Sequence, residues 1–283
     1  MTNNKTIVGR YAPSPTGDLH LGNIRTALLA WLQVRSLGGK FLLRMEDLDV
    51  PRVVKGSAKQ ILLDLEWLGL DWDGEVVYQS QRTHLYEDAL AKLTEQELVY
   101  PCYCSRKDIQ QAASAPHNQG VIYPGTCRVL SAIERIEKAK SKSPAFRIKV
   151  DSDLLANCGD FVIKRADGLF AYQLAVVVDD LEQGVTHVLR GQDLFESTAR
   201  QQYLAKKISP TSYKIEYTHA PLMLDESGVR MSKRDGSLSV AGYKAKGYFA
   251  EKLIGELAFS LGIVANDDPI TAVQLLNNVN GIT

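Results

Sequence analysis

The chain has 283 residues, of which 45% are hydrophobic and 23% charged, and this is the composition of an ordinary soluble globular protein of about two domains. Lysine and arginine together number 33, as do aspartate and glutamate, so the net charge is zero and gives no sign of the basic excess that usually accompanies nucleic-acid binding. The first residues are polar and no long apolar run is present, so we expect neither a signal peptide nor a membrane span. We therefore expect a cytoplasmic protein.

The first predicted elements are a short strand, a loop containing proline and glycine, and a helix. The apolar run Ile7-Val8-Gly9 predicts the strand, and apolar residues at helical spacing from Ile24 to Val34 predict the helix. The intervening residues 10–23 are RYAPSPTGDLHLGN. A strand, loop and helix in this order aim backbone N–H groups and a helix N-terminus at an anion. The segment is not a Walker loop, because Asn23 stands where a lysine is required, and it lacks the G-x-G-x-x-G dinucleotide fingerprint.

An acidic cluster follows the next predicted strand. Gly38-Gly39 ends the helix, and Phe41-Leu42-Leu43 has the apolar character of a buried parallel strand. A strand, helix and strand with a right-handed crossover begin a doubly wound sheet. Ligands bind at the carboxyl ends of the strands of such sheets. The segment from Arg44 to Asp49 is therefore a candidate site, although an acidic turn of this kind is more often simply solvated.

Three cysteines in a predicted insertion have the spacing of metal ligands. Pro101 interrupts the helical pattern, Cys102-Tyr103-Cys104 follows it, and Cys127 comes later in the chain. Two thiolates one residue apart, with a third returned by a loop, suit a soft tetrahedral ion such as zinc, but one ligand is missing. His117 is a candidate for it because imidazole is a common zinc ligand, and plain buried thiols are the alternative for the whole cluster. Cys158 is most simply a core thiol.

The remaining segments complete the predicted architecture. Asp167-Gly168 predicts a hairpin turn whose second arm, Leu169 to Ala175, ends the insertion. Two further buried strands that return to the parallel sheet are predicted at Val176 to Val178 and at Thr186 to Leu189. Asp179-Asp180 follow the first of these strands, and Arg190 follows the second. The other predicted elements are helices at 55–68, 83–98, 131–142, 194–206, 249–261 and 270–276 and strands at 145–150 and 161–165.

These elements predict an α/β fold built on a doubly wound, Rossmann-like parallel sheet. An α+β subdomain with a metal site is inserted into it, and a short helical part ends the chain. The predicted segments are 1–98 for the first half of the catalytic domain, 99–171 for the insertion, 172–240 for the second half and 241–283 for the helical part.

Two segments resemble the signatures of class I aminoacyl-tRNA synthetases. His20-Leu21-Gly22-Asn23 resembles the HIGH signature, and the longer segment 10–23 is similar to the glutamyl and glutaminyl branch of that family. Arg230-Met231-Ser232-Lys233-Arg234 resembles the KMSKS signature, with arginine in place of its first lysine and of its last serine. The segments 44–49 and 172–191 also look like this branch. The resemblance therefore covers nearly the whole chain.

The resemblance implies an ATP site and a glutamate site, with Mg²⁺ assisting. The residues expected to bind ATP are His20, Gly22, Asn23 and Lys233, of which His20 and Lys233 are the expected catalytic residues. Those expected to bind glutamate are Arg10, Tyr11, Ala12, Pro13, Ser14, Glu46, Tyr172 and Arg190. The guanidinium groups of Arg10 and Arg190 suit the side-chain carboxylate. The amino group and the backbone of the glutamate are expected to be bound by Glu46, Ser14 and Tyr172.

The insertion and the C-terminal part are similar to the glutamyl-Q subfamily in particular. That subfamily resembles this chain in a tyrosine four residues before the last cysteine, which implies a structural Zn²⁺ held by Cys102, Cys104, Tyr123 and Cys127. Only residues 238–283 follow the KMSKS-like region, too few for the large anticodon-binding part of a glutamyl-tRNA synthetase. The resemblance implies transfer of glutamate to the queuosine base in the anticodon loop of tRNA(Asp) by a monomer. A truncated enzyme that charges tRNA(Glu) and a catalytically idle RNA-binding paralogue are the alternatives.

Overall fold

The computed structural model describes residues 6–112, 122–210, 214–221 and 239–279, which form two compact units. The first unit comprises the described residues of Met1–Ser80, Gly184–Phe195 and Lys214–Thr283. The second comprises those of Gln81–Gln183 and Glu196–Tyr213. Both units are discontinuous in sequence, and the four-segment division of the chain stays a prediction.

The described residues contain eight strands and eleven α-helices. The strands are β1 (Val8–Tyr11), β2 (Lys40–Met45), β3 (Val77–Tyr78), β4 (Val99–Cys102), β5 (Ala145–Ile148), β6 (Phe161–Lys164), β7 (His187–Gly191) and β8 (Glu216–Ala220). The α-helices are α1 (Leu21–Ser36), α2 (Ser57–Trp67), α3 (Thr83–Glu95), α4 (Arg106–Ala112), α5 (Ala132–Ala139), α6 (Ser152–Cys158), α7 (Tyr172–Glu182), α8 (Ser197–Ile208), α9 (Val240–Ala245), α10 (Ala250–Ser260) and α11 (Ala272–Asn278). None of these helices is long and apolar enough to cross a membrane.

The first unit is built on the parallel sheet that the sequence predicts. Its strand order is β3-β2-β1-β7-β8, and all four neighbouring pairs are parallel. The order reverses at β1, where β2 lies on one side and β7 on the other. This reversal is the switch point at which doubly wound sheets bind ligands, beyond the carboxyl ends of their strands. The α/β doubly wound fold class is confirmed.

Helix α1 supplies much of the first unit's core. Ten of its 16 residues are buried, because apolar side chains occupy most of its circumference. Its single indole N–H, on Trp31, donates to Asp71 Oδ1 at 2.7 Å, so a buried polar group is satisfied. The helix begins three residues before the predicted Ile24, because His20 serves as its N-cap and extends the first turn backwards.

The second unit contains a three-stranded antiparallel sheet with the order β4-β5-β6. The predicted turn at Asp167-Gly168 is confirmed, since the Gly168 N–H donates to Arg165 O at 3.0 Å and Lys164 pairs with Phe170. The prediction of a second strand arm from Leu169 to Ala175 is wrong beyond Phe170. Helix α7 begins at Tyr172, so the arm ends at a single bridge.

The predicted strand at Val176–Val178 is also wrong, because these residues lie in the middle of α7. Every residue from Leu174 to Asp180 is buried. A helix surrounded by other elements loses its polar face, and a short apolar run of this kind cannot be told from a buried strand by periodicity. Asp179 is consequently a structural residue: its Oδ1 accepts from Arg82 Nε at 2.6 Å and its Oδ2 from the Tyr86 hydroxyl at 2.9 Å.

Candidate active site and metal centre

Four charged side chains lie on one face of the parallel sheet near its carboxyl edge. Gly9 of β1 pairs with His187 of β7, so Arg10 and Arg190, one and three residues further along, point to the same face. Arg10 also pairs with Leu42 of β2, which places Arg44 and Glu46 on that face. Arg10, Arg44 and Arg190 are all at most 5% exposed. This face therefore carries three buried guanidinium groups and a carboxylate.

The guanidinium of Arg190 is held by two residues of β8. Its Nε lies 3.3 Å from His219 Nε2, and its Cζ lies 4.9 Å from the centre of the Tyr217 ring. Burial and the neighbouring Arg190 charge both lower the pKa of His219. A neutral imidazole can accept a hydrogen bond from the guanidinium, so β8 orients Arg190 without adding a second positive charge.

Glu46 is tied to the loop that follows β1. Its backbone N–H donates to Pro13 O at 2.9 Å, and its Oε1 lies 3.6 Å from Arg44 Nη2. The backbone bond brings the acidic segment after β2 against the segment after β1, as expected for neighbouring parallel strands. The predicted glutamate-binding residues Ala12 and Pro13 therefore lie beside Glu46, whereas the Ser14 side chain is exposed.

A serine of α2 fixes the same loop further along. The backbone N–H of Gly17 donates to Ser57 Oγ at 3.2 Å, and the Ser57 hydroxyl donates to Gly17 O at 2.7 Å. Gly17 has φ of 129°, a conformation that only glycine adopts readily. Ser57 carries no signal in the sequence, because a single serine at a helix start indicates capping rather than a bond to a loop forty residues away.

The HIGH-like residues form the start of α1. The His20 N–H donates to Asn23 Oδ1 at 3.3 Å, so Asn23 caps the first turn. A Cβ on Gly22 would lie 3.2 Å from His20 Cε1 and 3.3 Å from its Nδ1, so the imidazole folds over the space that glycine leaves. His20 also forms a bridge with Ser239, the first described residue after the KMSKS-like segment.

The predicted metal ligands converge in the second unit. The Sγ atoms of Cys102, Cys104 and Cys127 all lie within 4.8 Å of one another. The Tyr123 hydroxyl lies 3.4 Å from Cys102 Sγ and 3.7 Å from Cys104 Sγ. Tetrahedral zinc with bonds of about 2.3 Å separates its sulfur ligands by about 3.8 Å, so three thiols and a phenol at these distances fit the ion. His117, the alternative ligand, lies outside the described residues.

Backbone N–H groups already point at this cluster. The N–H of Tyr103 donates to Cys127 Sγ at 3.4 Å, and the N–H of Cys127 donates to the Tyr123 hydroxyl at 2.8 Å. Burial opposes ionisation of Cys127, but the hydrogen bonds of its thiol with the Tyr103 N–H and with the side chains of Tyr123, Cys104 and Cys102 lower its pKa overall. Burial raises the pKa of Cys104 to about 11.

A comparison with protein families decides the class of the chain. The family described as tRNA synthetases class I (E and Q), catalytic domain, matches residues 6–275. The chain belongs to this family. It is thus a synthetase of the ligase class, and the parallel sheet of the first unit is part of its catalytic domain.

Several curated relatives of this synthetase share one name. A Symbiobacterium thermophilum protein named glutamyl-Q tRNA(Asp) synthetase is 46% identical, over 95% of this chain and 91% of its own length. Proteins of the same name from Nocardia farcinica and Prochlorococcus marinus are 49% and 41% identical, over 90% and 98% of this chain and 85% and 89% of their own. The similarity therefore spans most of this chain and most of each of these relatives.

Solved structures of glutamate-tRNA synthetases resemble this synthetase in fold. That from Elizabethkingia anophelis superposes with a TM-score of 0.79 at 25% identity, and that from Elizabethkingia meningosepticum, in complex with its amino acid, with 0.78 at 26%. Each match covers 98% of this chain but only 66% and 65% of the other. The chain thus spans slightly less than two thirds of those two proteins.

Among the predicted glutamate-binding residues of the synthetase, Tyr11 does not lie on the charged face. The Tyr11 hydroxyl donates to Asn23 O on α1 at 3.3 Å, so its side chain lies on the opposite side of the sheet, where burial raises its pKa. Tyr172 belongs to the second unit, in the first turn of α7. Lys233 and the rest of the KMSKS-like segment lie outside the described residues.

Proposed function

We propose that this synthetase activates L-glutamate with ATP and transfers it to the queuosine base of tRNA(Asp). The observation that carries the choice of glutamate is the pair of buried guanidinium groups, Arg10 and Arg190, on one sheet face beside Glu46. A substrate with two carboxylates and an ammonium group complements these charges. The choice of tRNA is supported by the name that relatives at 40–49% identity share.

In the activation step, an oxygen of the glutamate α-carboxylate attacks the α-phosphorus of ATP. The bond from this phosphorus to the bridging oxygen breaks, and pyrophosphate leaves with the electron pair. Such transfers need positioning and charge neutralisation more than covalent chemistry. In this proposal His20 and Lys233 contact the phosphates, and Mg²⁺ offsets part of their charge. The α1 N-terminus contributes the backbone N–H of Gly22 to the same phosphates, whereas the N–H of Asn23 donates to His20 O at 2.9 Å.

The glutamate must bind by its other groups so that the α-carboxylate stays free. Arg10 and Arg190 bind the side-chain carboxylate in this proposal, because guanidinium forks match carboxylate geometry. Glu46 binds the ammonium group, and Pro13 O, which accepts from the Glu46 N–H, fixes the position of that residue. The activated glutamate is then transferred to the nucleophilic group of the queuosine base, and AMP is released.

We assign the cluster of Cys102, Cys104, Tyr123 and Cys127 to a structural zinc ion. Four protein ligands leave no open coordination position, so the ion would stabilise the fold of the second unit rather than take part in the chemistry. Three of the four residues are at most 4% exposed. A buried ligand set of this kind is typical of a structural site.

The test is glutamate-dependent exchange of pyrophosphate with ATP, measured first without RNA. The resemblance to the glutamyl-Q subfamily implies exchange in the absence of tRNA, whereas glutamyl-tRNA synthetases require their tRNA first. We expect exchange without RNA, and glutamate transfer to queuosine-containing tRNA(Asp) but not to the unmodified tRNA. Exchange only with tRNA(Glu) would indicate a charging enzyme, and none with any tRNA an idle RNA-binding protein.

The same assay tests the glutamate pocket through Arg190→Ala. Loss of one charge-assisted pair, worth about 1.5–3 kcal/mol, should raise the KM for glutamate roughly tenfold to a hundredfold and leave the KM for ATP unchanged. An unchanged KM for glutamate would show that Arg190 does not bind this substrate.

A further inference from the structure

A buried arginine of the second unit directly contacts two of the four proposed metal ligands. Arg147, on β5, is 8% exposed. Its Nε–H donates to Cys102 Sγ at 3.2 Å, and its Cζ lies 3.7 Å from the centre of the Tyr123 ring. The same guanidinium therefore faces a thiol and stacks on a phenol ring. No sequence signal marks this residue, because β5 brings it to the cluster only when the sheet forms.

The backbone of Asp160 holds the guanidinium in this place. Arg147 Nη1 donates to Asp160 O at 2.7 Å. The carboxylate of Asp160 is engaged elsewhere: it accepts from Tyr100, from Arg128 and from the N–H of Val150. In the described parts of the chain, Arg147 forms no ion pair with a carboxylate. A buried guanidinium without a carboxylate partner is costly unless another anion balances it.

The metal ligands are the anions that this position offers. Zinc with three thiolates and a phenolate bears two net negative charges, which a buried site must offset. An N–H bond to a thiolate and a cation on the face of a ligand ring both act on the ligand side of the metal bonds. We infer that Arg147 is a positioning and charge-balancing residue of the zinc centre, holding Cys102 and Tyr123 in place for the ion. This inference rests on the proposed zinc site.

The competing explanation is that Arg147 only packs the sheet of the second unit. The two explanations differ in the metal-free protein. A packing residue stabilises the protein whether or not zinc is bound, whereas a residue that balances the metal ligands stabilises mainly the loaded form. Metal retention, compared with the stability of the metal-free protein, therefore separates them.

The experiment compares full-length Arg147→Met and Arg147→Lys with the wild type. Zinc per chain is measured by mass spectrometry of the metal, and the rate of zinc transfer to an excess of a chromogenic chelator is measured at one pH. We expect release from Arg147→Met to be about 10–100-fold faster, the usual effect of losing an outer contact to a ligand. Arg147→Lys should fall between the two, because lysine keeps the charge but not the planar fork.

The matched control is Arg128→Met, which removes an equal charge from the turn after Cys127 in the same unit. Arg128 Nη1 contacts Asp160 Oδ1 at 2.9 Å, and its guanidinium makes none of the ligand contacts seen for Arg147. We expect this variant to lose stability with and without zinc, and to release zinc at nearly the wild-type rate. Equal release from Arg147→Met and Arg128→Met would overturn the inference.

Two further results keep the inference separate from the zinc proposal. Wild-type protein that holds no zinc after purification without chelator, and takes up none when it is added, would reject the zinc site itself. If the wild type holds zinc but Arg147→Met and Arg147→Lys lose as much thermal stability without zinc as with it, Arg147 is a packing residue. If Arg147→Met does not fold, the release rate of Arg147→Lys decides the question.

Discussion

At the scale of single residues, Gly22 shows how little space is left beside the His20 ring. A Cβ at this position would lie 3.2 Å from His20 Cε1, closer than ordinary van der Waals contact, so the imidazole must shift by a few tenths of an ångström. Because alanine has a higher helix propensity than glycine, Gly22→Ala should not lower the melting temperature. We expect pyrophosphate exchange to fall about tenfold, a loss of about 1.4 kcal/mol of transition-state stabilisation.

A double-mutant cycle identifies the cause of that loss. If Gly22→Ala acts by displacing the imidazole, it should change little in a background that already carries His20→Ala. Additive losses in the two backgrounds would mean that the methyl group instead blocks ATP directly.

The sequence indicates residues whose chemistry is local and misses those whose contacts depend on the fold. His20 and Gly22 lie in one short segment, as do Cys102 and Cys104, and the structure brings each pair together. Ser57 and Arg147 act across long separations in the chain, and nothing near them in the sequence indicates their partners. Tyr11 shows that a signature does not fix the direction of a side chain, because strand alternation turns it away from its neighbour Arg10.

At the scale of elements, a partly buried ion pair joins α9 to α2. Asp64 of α2 is 1% exposed and accepts from Gln60 Nε2 at 2.8 Å, while Lys244 Nζ lies 3.5 Å from Asp64 Oδ1 and 4.7 Å from the centre of the Trp67 ring. Burial, the largest influence, raises the pKa of Asp64. Without Lys244 the ionised carboxylate would stay buried with a single side-chain donor in this part of the structure.

We therefore expect Lys244→Met to lower the free energy of unfolding by about 1–2 kcal/mol, less than a fully buried pair because Lys244 is partly exposed. Asp64→Asn in the same protein should restore much of this loss, since it removes the uncompensated charge. Urea unfolding at pH 7.5 measures both variants. A double variant no more stable than Lys244→Met alone would contradict this account of the α2–α9 contact.

The elements that the sequence predicts well are those with one buried face. Helices α10 and α11 lie within two residues of their predicted bounds, because their apolar stripes alternate with polar residues. Helix α7 and the short α9 were missed for different reasons. Helix α7 is buried on all sides, so its apolar residues show no helical periodicity in the sequence. Helix α9 has only six residues, and one of them is Gly242.

At the scale of the whole molecule, the two units should respond differently to removal of zinc. All four proposed ligands belong to the second unit, and one of them, Cys102, is the last residue of β4 in its three-stranded sheet. The first unit has a large apolar core of its own, built around α1 and the parallel sheet. Zinc binding stabilises only what is folded around the ion, because ligand binding acts on the state that forms the site.

Chelation should accordingly increase amide hydrogen exchange in β4, β5 and β6 at least tenfold and leave β1 and β2 nearly unchanged. Hydrogen exchange measured by mass spectrometry, with and without a chelator, provides the comparison, and zinc added back in excess should restore protection. Cys104→Ser, which removes one ligand, should give the chelated pattern without any chelator. Loss of protection in both units alike would mean that the metal stabilises the chain as one cooperative body, and unchanged protection in both would remove the structural role assigned to the ion.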